Sequence, residues 1–94
     1  EVGVAMNSPD RILVFDRDFL EDLHFWVSTN RKTAIKVLEL VEAIRRDPFD
    51  GLGKPEPLRH LGEGVWSRRI TQEHRLVYKV AGNQVLFAQA RYHY

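Results

Sequence analysis

A glutamate between two prolines is the residue of this sequence best suited to act as a general base. Glu56 lies between Pro55 and Pro57, which hold the backbone extended and restrict the direction of the carboxylate. Such a carboxylate can accept the proton of a ribose 2′-hydroxyl. The nearby cations Lys54 and Arg59 favour its ionised form. The alternative is a loop carboxylate that forms only surface ion pairs.

Residues towards the C-terminus would complete a set for metal-independent cleavage of RNA. His93 is the candidate general acid for the departing 5′-oxygen, because a neighbouring phosphate would favour its protonated form. Arg75 and Arg69 can each hold phosphoryl oxygens with a planar guanidinium. Tyr94 ends the chain, where it is easily placed against a substrate. The alternatives are a frayed terminal histidine and arginines on an ordinary solvated sheet face.

The charge of the chain is unevenly distributed, although its net value is only +1. Residues 1–50 contain seven Lys and Arg against ten Asp and Glu, whereas residues 51–94 contain seven against three. This asymmetry predicts an anion-binding surface in the second half, as a phosphate backbone would require. The alternative is an acidic helical face beside a solvated basic sheet.

Several classes of protein are disfavoured by composition. The sequence has no cysteine, and its four histidines lack the spacing of a metal site, so no metal and no cofactor are predicted. The longest apolar runs fall short of the roughly 18 residues that span a membrane. We therefore expect a soluble, cytoplasmic protein with no membrane partner. The 94 residues suit one domain, predicted for residues 11–94 after a flexible tail or cloning remnant at 1–10.

Hydrophobic periodicity predicts one strand and two helices in the first half of the chain. Residues 11–15 are rich in β-branched and large apolar types and are predicted as a strand. A helix should begin at Asp16 and end near Asn30, which can cap the next helix. That second helix is predicted to reach Asp47 and to stop at Pro48. The predicted inward residues are Phe19, Leu23, Trp26, Val27, Ala34, Ile35, Leu38, Val41 and Ile44.

The second half is predicted to be a β-meander. A Gly/Pro-rich loop at 47–57 is followed by strands at 65–71, 74–81 and 85–92. The fold class is therefore α+β, with the order β-α-α and then an antiparallel meander, the two helices packing on one face of the sheet. Trp66, Tyr78 and Tyr92 are candidates to stack on bases, although Trp66 and Tyr92 fit a core position better.

Strand alternation gives a geometric test of the proposed set. Arg69 and Arg75 face each other if the first hairpin has a three-residue loop at 71–73, and lie on opposite faces if the loop has two residues. Arg75 and His93 share a face if the last hairpin has an odd loop, such as 82–84, or a bulge. We predict an odd loop or a bulge at both places.

Four segments together resemble a known family: GLGKPEPLRH at 51–60, WSRRI at 66–70, EHRLVY at 73–78 and RYHY at 91–94. They closely resemble the YoeB (Txe) toxins of the RelE/ParE superfamily, in the order and with the spacing of that family. The resemblance extends over residues 11–94 and implies a RelE-like fold. It also implies an endoribonuclease that enters the ribosomal A site and cuts mRNA, inhibiting translation.

The resemblance also assigns roles to individual residues. It implies that Glu56 is the general base, His93 the general acid and Arg75 the arginine that stabilises the transition state. Tyr94 matches a terminal tyrosine needed for activity, and Arg69 a further basic residue of the site. The candidate RNA-binding residues are Lys54, Arg59 and Arg69, and Arg59 stands where some relatives have lysine.

The partners implied by the resemblance are a cognate YefM-type antitoxin, the 70S ribosome with its mRNA, and in some cases a second toxin subunit. The antitoxin would cover the site with an acidic, flexible tail. Two other hypotheses use the same basic half of the chain. One is a non-catalytic module that binds ribosomal RNA, and the other is an adaptor for an acidic peptide. Neither explains an acid–base pair within a basic region.

Overall fold

The computed structural model describes residues 11–92 as two helices packed on one face of a five-stranded sheet. Residues 1–10, predicted as a tail, lie outside that range, as do His93 and Tyr94. No helix in the described part is long and apolar enough to cross a membrane. The elements are β1 (Ile12–Phe15), α1 (Arg17–Thr29), α2 (Arg31–Arg46), β2 (Glu56–Pro57), β3 (Val65–Arg69), β4 (Arg75–Ala81) and β5 (Gln84–Gln89), with a 3₁₀ turn at Arg59–Leu61.

The sheet has the strand order β1-β5-β4-β3-β2. Strands β3 to β5 pair antiparallel, which confirms the predicted meander, and β2 adds a further antiparallel strand, but β1 pairs parallel to β5. The sheet is therefore mixed, and the parallel pairing of β1 was not predicted from the sequence. Strands joined by short hairpins must be antiparallel. No hairpin fixes the direction of β1, because it comes from the opposite end of the chain.

Asparagine 30 separates the two helices, as its sequence position predicts. Its backbone N–H donates to the Trp26 carbonyl at 2.7 Å, which closes the last turn of α1. Its side-chain oxygen accepts from the Thr33 N–H at 3.2 Å, which caps the start of α2. Asp16 caps α1 in the same way by accepting from the Asp18 N–H at 2.9 Å. The helices begin and end within one residue of their predicted limits.

The core lies between the helices and the sheet, but one part of the predicted helical stripe was wrong. Val27, Ile35 and Leu38 are 60, 47 and 52% exposed. The inward stripe of α2 instead continues through Val37 and Leu40, both fully buried, because these follow Ala34 at steps of three residues. The core cluster contains Phe19, Trp26, Ala34, Val37, Leu40, Ile44, Ile70, Leu76, Tyr78, Val85, Phe87 and Ala90.

Two residues predicted to lie in a loop form the edge strand β2. Glu56 pairs with Ser67, and Pro57 with Trp66. The next residue, Leu58, donates its N–H to the Val65 carbonyl at 2.8 Å. Proline is tolerated on an edge strand because one side of the strand needs no ladder donor. The consequence is that Glu56 is part of the sheet and is not carried on a free loop.

Glycine 53 permits the loop before β2 to lie directly on the core. Its φ is +88°, and a Cβ there would approach Leu40 Cδ2 at 2.7 Å and Arg68 Cβ at 3.1 Å. Gly53→Ala should therefore lower the free energy of unfolding by about 2–4 kcal/mol, from the disfavoured φ and the overpacking together.

Gly82→Ala is the matched control for that substitution. Gly82 also has a positive φ, +60°, but a Cβ there meets no atom within 4 Å. Its replacement should cost only about 1 kcal/mol, the price of the left-handed backbone alone. Comparing the two variants by urea denaturation isolates the free-energy cost of the steric overlap at Gly53. Equal losses of unfolding free energy in the two variants would contradict the close packing of Gly53.

Candidate active site

The face of the sheet that points away from the helices carries the charged side chains of Glu56, Arg69, Arg75 and Lys79. Alternation along the strands sends Leu76 and Tyr78 into the core and their neighbours to the opposite face. The register places Glu56 beside Ser67, and Arg69 beside Arg75. Of the predicted site residues, Glu56, Arg69 and Arg75 are thus brought onto one face by three neighbouring strands.

The contact between Glu56 and Arg75 is the centre of this arrangement. Arg75 Nη1 lies 3.4 Å from Glu56 Oε1, and the two side chains are 16 and 55% exposed. The same Nη1 donates to Ser67 Oγ at 3.2 Å. Such a half-exposed ion pair contributes little to stability. It leaves the carboxylate open to solvent and holds a guanidinium beside it, which suits a proton acceptor next to an anion site.

Serine 67 was not identified from the sequence. It is fully buried on β3, between Glu56 on one side and Val77 on the other. Its hydroxyl accepts from the Arg75 guanidinium and so helps to fix that group. Its position within the WSRRI segment, two residues before Arg69, was the available signal, because alternate residues of a strand share a face.

The remaining predicted RNA contacts are Arg69, Lys54 and Arg59. Arg69 is exposed and directly opposite Arg75. Lys54 and Arg59 are exposed on either side of β2, and Lys54 has a left-handed backbone with φ 55°. The sequence placed the cations Lys54 and Arg59 nearest to Glu56. Within residues 11–92, the cation in contact with Glu56 is Arg75.

The hairpin that carries Arg75 has the predicted geometry. The Ile70 N–H donates to the His74 carbonyl at 2.9 Å, which leaves a three-residue loop at 71–73. Arg69 and Arg75 therefore form a cross-strand pair, and the prediction of an odd loop here is confirmed.

The last hairpin meets the prediction through a bulge. Its turn has the simple two residues, because Ala81 pairs with Gln84. Further along, Tyr78 pairs with Phe87 but Val77 pairs with Gln89, so β5 contains one extra residue. The predicted irregularity is confirmed as a bulge. His93 and Tyr94 lie outside the described residues, and their placement relative to Arg75 stays a prediction.

Arginine 68, the neighbour of Arg69, faces the opposite way. It is fully buried and donates to Tyr78 Oη at 3.2 Å and to the carbonyls of Leu52, Asp47 and Asp50 at 2.9, 2.5 and 3.0 Å. A buried cation with four acceptors fixes the path of the loop that leads into β2 and hence to Glu56. The apolar residues two positions before and after it could have indicated this inward direction.

The predicted aromatic contacts with RNA are partly corrected. Tyr78 is fully buried, and its hydroxyl donates to the Pro48 carbonyl at 2.6 Å, so it is not available for base stacking. Burial raises the pKa of Tyr78, which keeps the hydroxyl a hydrogen-bond donor. Tyr92, predicted as core, is 57% exposed. Trp66 is half-buried and packs against Phe49 with ring centroids 5.3 Å apart.

Helix α1 anchors the segment that follows β5. Asp22 Oδ2 accepts from the Ala90 N–H at 2.9 Å, and Trp26 Nε1 donates to the Ala90 carbonyl at 2.8 Å. Burial raises the pKa of Asp22 from its ordinary value of 3.8, against the opposing effects of the Ala90 hydrogen bond and the Arg91 charge. The carboxyl therefore binds a proton more tightly in the folded than in the unfolded chain.

This raised pKa predicts a pH dependence that an Asp22→Asn variant should lack. Between pH 3.8 and the higher folded value, stability falls as pH rises, because the folded state binds more protons. The wild type should thus gain stability relative to Asp22→Asn as the pH is lowered from 7 towards 4. Asparagine keeps an oxygen for the Ala90 N–H, so the comparison isolates the charge. Urea denaturation at several pH values measures it, and a constant difference would contradict it.

Within residues 11–92, no three or more His, Asp or Glu side chains are grouped so that they could hold a metal ion.

Comparison with known proteins gives a consistent result. A family model described as the YoeB-like toxin of bacterial type II toxin–antitoxin systems matches residues 15–94. The chain is 51% identical over 84 residues to Toxin YoeB of Mycobacterium bovis, covering 89% of this chain and 99% of that protein. It is 48% identical over 82 residues to Toxin YoeB of Escherichia coli K12, covering 87 and 98%.

Solved structures agree with these sequence matches. A YoeB/ParE toxin from Agrobacterium tumefaciens superposes with a TM-score of 0.81 at 42% identity, covering 88% of this chain and 99% of that one. A YoeB dimer from Staphylococcus aureus gives 0.81 at 37% identity, covering 92 and 100%. A YoeB–YefM complex from the same organism gives 0.77 at 39% identity with the same coverage. The chain therefore belongs to the family of YoeB-like toxins of bacterial type II toxin–antitoxin systems.

Proposed function

We propose that this chain is a ribosome-dependent endoribonuclease, an mRNA interferase that cuts mRNA in the A site and so stops translation. The observation that carries the proposal is the contact between Glu56 and Arg75 on the open face of the sheet. A surface that only binds RNA needs cations. A solvent-accessible carboxylate among them would repel phosphate, unless it takes part in the chemistry.

The proposed reaction is transesterification within the RNA chain. Glu56 accepts the proton of the 2′-hydroxyl as the 2′-oxygen attacks the adjacent phosphorus. Arg75 offsets the charge that grows on the phosphoryl oxygens. The bond from phosphorus to the 5′-oxygen breaks, and His93 gives that oxygen a proton. The products are a 2′,3′-cyclic phosphate and a 5′-hydroxyl, and no metal or cofactor takes part.

The other site residues act in binding. Ser67 holds the Arg75 guanidinium from behind, so this group is already oriented before RNA arrives. Arg69, exposed beside Arg75, contacts a flanking phosphate, and Lys54 and Arg59 extend the contacts along the strand. Tyr94, as in the resemblance, contacts the substrate near His93.

The proposed partners follow from the same family membership. A YefM-like antitoxin neutralises the toxin, as the YoeB–YefM complex from S. aureus suggests, and its acidic tail would meet the cations of the site. A homodimer is proposed from the YoeB dimer of the same organism. Action on the 70S ribosome and its mRNA places the activity in the cytoplasm.

Primer extension on an actively translated message tests the proposal. The purified chain should produce cuts at a fixed position relative to the A-site codon, with a 2′,3′-cyclic or 3′-phosphate end. The same message without its start codon is the control and should remain intact. Arrest of translation with an uncut message would overturn the nuclease and leave a module that only binds ribosomal RNA.

A further inference from the structure

Tyrosine 92 is the last described residue, and both the N–H and the carbonyl of its backbone form hydrogen bonds. Its N–H donates to His74 Nδ1 at 2.7 Å, and its carbonyl accepts from the Arg75 N–H at 3.1 Å. The two partners are consecutive residues, and Arg75 is also the cation beside Glu56. The start of β4 therefore fixes both the guanidinium of the site and the point from which His93 continues.

The backbone of Tyr92 needs such support. Its φ is 65°, a left-handed conformation that costs a residue with a Cβ roughly 1–2 kcal/mol. The anchors of the preceding residues do not reach its N–H: Ala90 is bound by Asp22 and Trp26, and the Arg91 guanidinium lies 3.4 Å from the centre of the Phe25 ring. In the described structure, His74 supplies the acceptor for the Tyr92 N–H.

His74 is itself fixed in place. Its ring is half-buried and meets the Trp26 ring edge-on, with centroids 4.7 Å apart and an interplanar angle of 81°. The backbone N–H of His74 donates to Thr71 Oγ1 at 3.2 Å. An Nδ1 that accepts this hydrogen bond from Tyr92 carries no proton, so the contact requires the tautomer with its proton on Nε2. Lysine or arginine could not replace it, since neither side chain has an acceptor.

We propose that His74 is a positioning residue of this toxin, whose Nδ1 holds the Tyr92 N–H at the start of β4, one residue before His93 in the sequence. The inference rests on the proposed function, in which His93 acts one residue further on. His74 does not touch RNA in this proposal. It acts through the backbone of Tyr92, and a displacement of about 1 Å at that point is enough to cost up to roughly 10²-fold in rate.

Two substitutions separate the acceptor from the ring. His74→Phe keeps an aromatic ring against Trp26 but has no acceptor, whereas His74→Asn places an amide oxygen near the position of Nδ1 without the ring. Amide hydrogen exchange measured by NMR should show the Tyr92 N–H protected in the wild type and in His74→Asn, and exchanging at least about tenfold faster in His74→Phe. Equal protection in His74→Phe would overturn the contact.

Cleavage kinetics on translated mRNA give the second readout. His74→Phe should lower kcat by roughly 10- to 100-fold with little change in KM, and His74→Asn should restore most of it. A wild-type kcat in His74→Phe would overturn the positioning role even if the Tyr92 N–H is exposed. A wild-type protein that cuts nothing would overturn the proposed nuclease, while the exchange measurement would still decide the contact.

A measurement on the wild type guards against a variant that does not fold. The NMR signals of the His74 ring nitrogens should identify the tautomer with its proton on Nε2, and a coupling across the hydrogen bond should join Nδ1 to the Tyr92 amide nitrogen. A ring with its proton on Nδ1 would overturn the proposal without any substitution.

Discussion

Replacing Glu56 by glutamine is expected to lower the rate of mRNA cleavage by roughly 10²–10⁴-fold, the usual contribution of a general base. Glutamine has nearly the same shape and still offers an oxygen to Arg75 Nη1, which lies 3.4 Å from the carboxylate. It cannot accept the 2′-hydroxyl proton. The change therefore removes the proposed chemistry and keeps the arrangement of the site. Because the side chain is 55% exposed, the free energy of unfolding should change by less than about 0.5 kcal/mol.

Glu39→Gln is the matched control, because Glu39 is exposed on α2, the layer on the opposite side of the sheet. It makes the same chemical change away from the site and should cleave at the wild-type rate. Single-turnover cleavage on programmed ribosomes measures all three proteins. If Glu56→Gln cleaved as fast as the control, Glu56 would not be the base, and its role would reduce to an ion pair that orients Arg75.

Local rules were sufficient to predict most of the fold. The spacing of apolar residues gave both helices, and Asn30 marked the break between them because one side chain can cap the following helix. Alternation, together with the assumption that Arg69 and Arg75 serve one site, predicted their pairing and the three-residue loop that it requires. Each of these features depends on residues that are close in sequence, where sterics and hydrogen-bond geometry leave few alternatives.

The features that were missed depend on pairing between distant parts of the chain. The direction of β1 and the strand character of Glu56 follow from neighbours on β5 and β3, for which no local turn provides a signal. The choice of Val37 and Leu40 over Ile35 and Leu38 as the core stripe of α2 depends on which side the sheet lies. Periodicity alone allows both, because α2 carries apolar residues on two sides: at about 100° per residue, Val37 and Leu40 point roughly opposite to Ile35 and Leu38.

The adjacent arginines of β3 show both the power and the limit of alternation. Arg68 and Arg69 must point to opposite faces, but composition alone treats both as part of a basic surface. The structure shows one fully buried and one exposed. The apolar residues two positions either side of Arg68 indicate its inward direction, but its carbonyl partners have no signature in the sequence, because any residue of a loop can supply such an acceptor.

Replacing Arg68 by methionine is therefore expected to lower the free energy of unfolding by about 3–5 kcal/mol. Methionine fills much of the volume but leaves Tyr78 Oη and three loop carbonyls without their donor, and each buried group left unpaired costs about 1–3 kcal/mol. Arg69→Met removes the same guanidinium from the neighbouring residue, which is exposed. It should lower the free energy of unfolding by less than about 0.5 kcal/mol.

Urea denaturation separates the two arginines by stability, and RNA cleavage separates them by mechanism. The folded Arg68→Met protein should also cleave more slowly, because the loop that Arg68 holds leads directly to Glu56. Arg69→Met should instead weaken RNA binding and make that binding less sensitive to salt concentration. Similar stability losses in the two variants would show that the carbonyl cluster finds other donors, most simply water. In that case the path of the loop, and with it the placement of the proposed base Glu56, would be set by Gly53 and β2 alone.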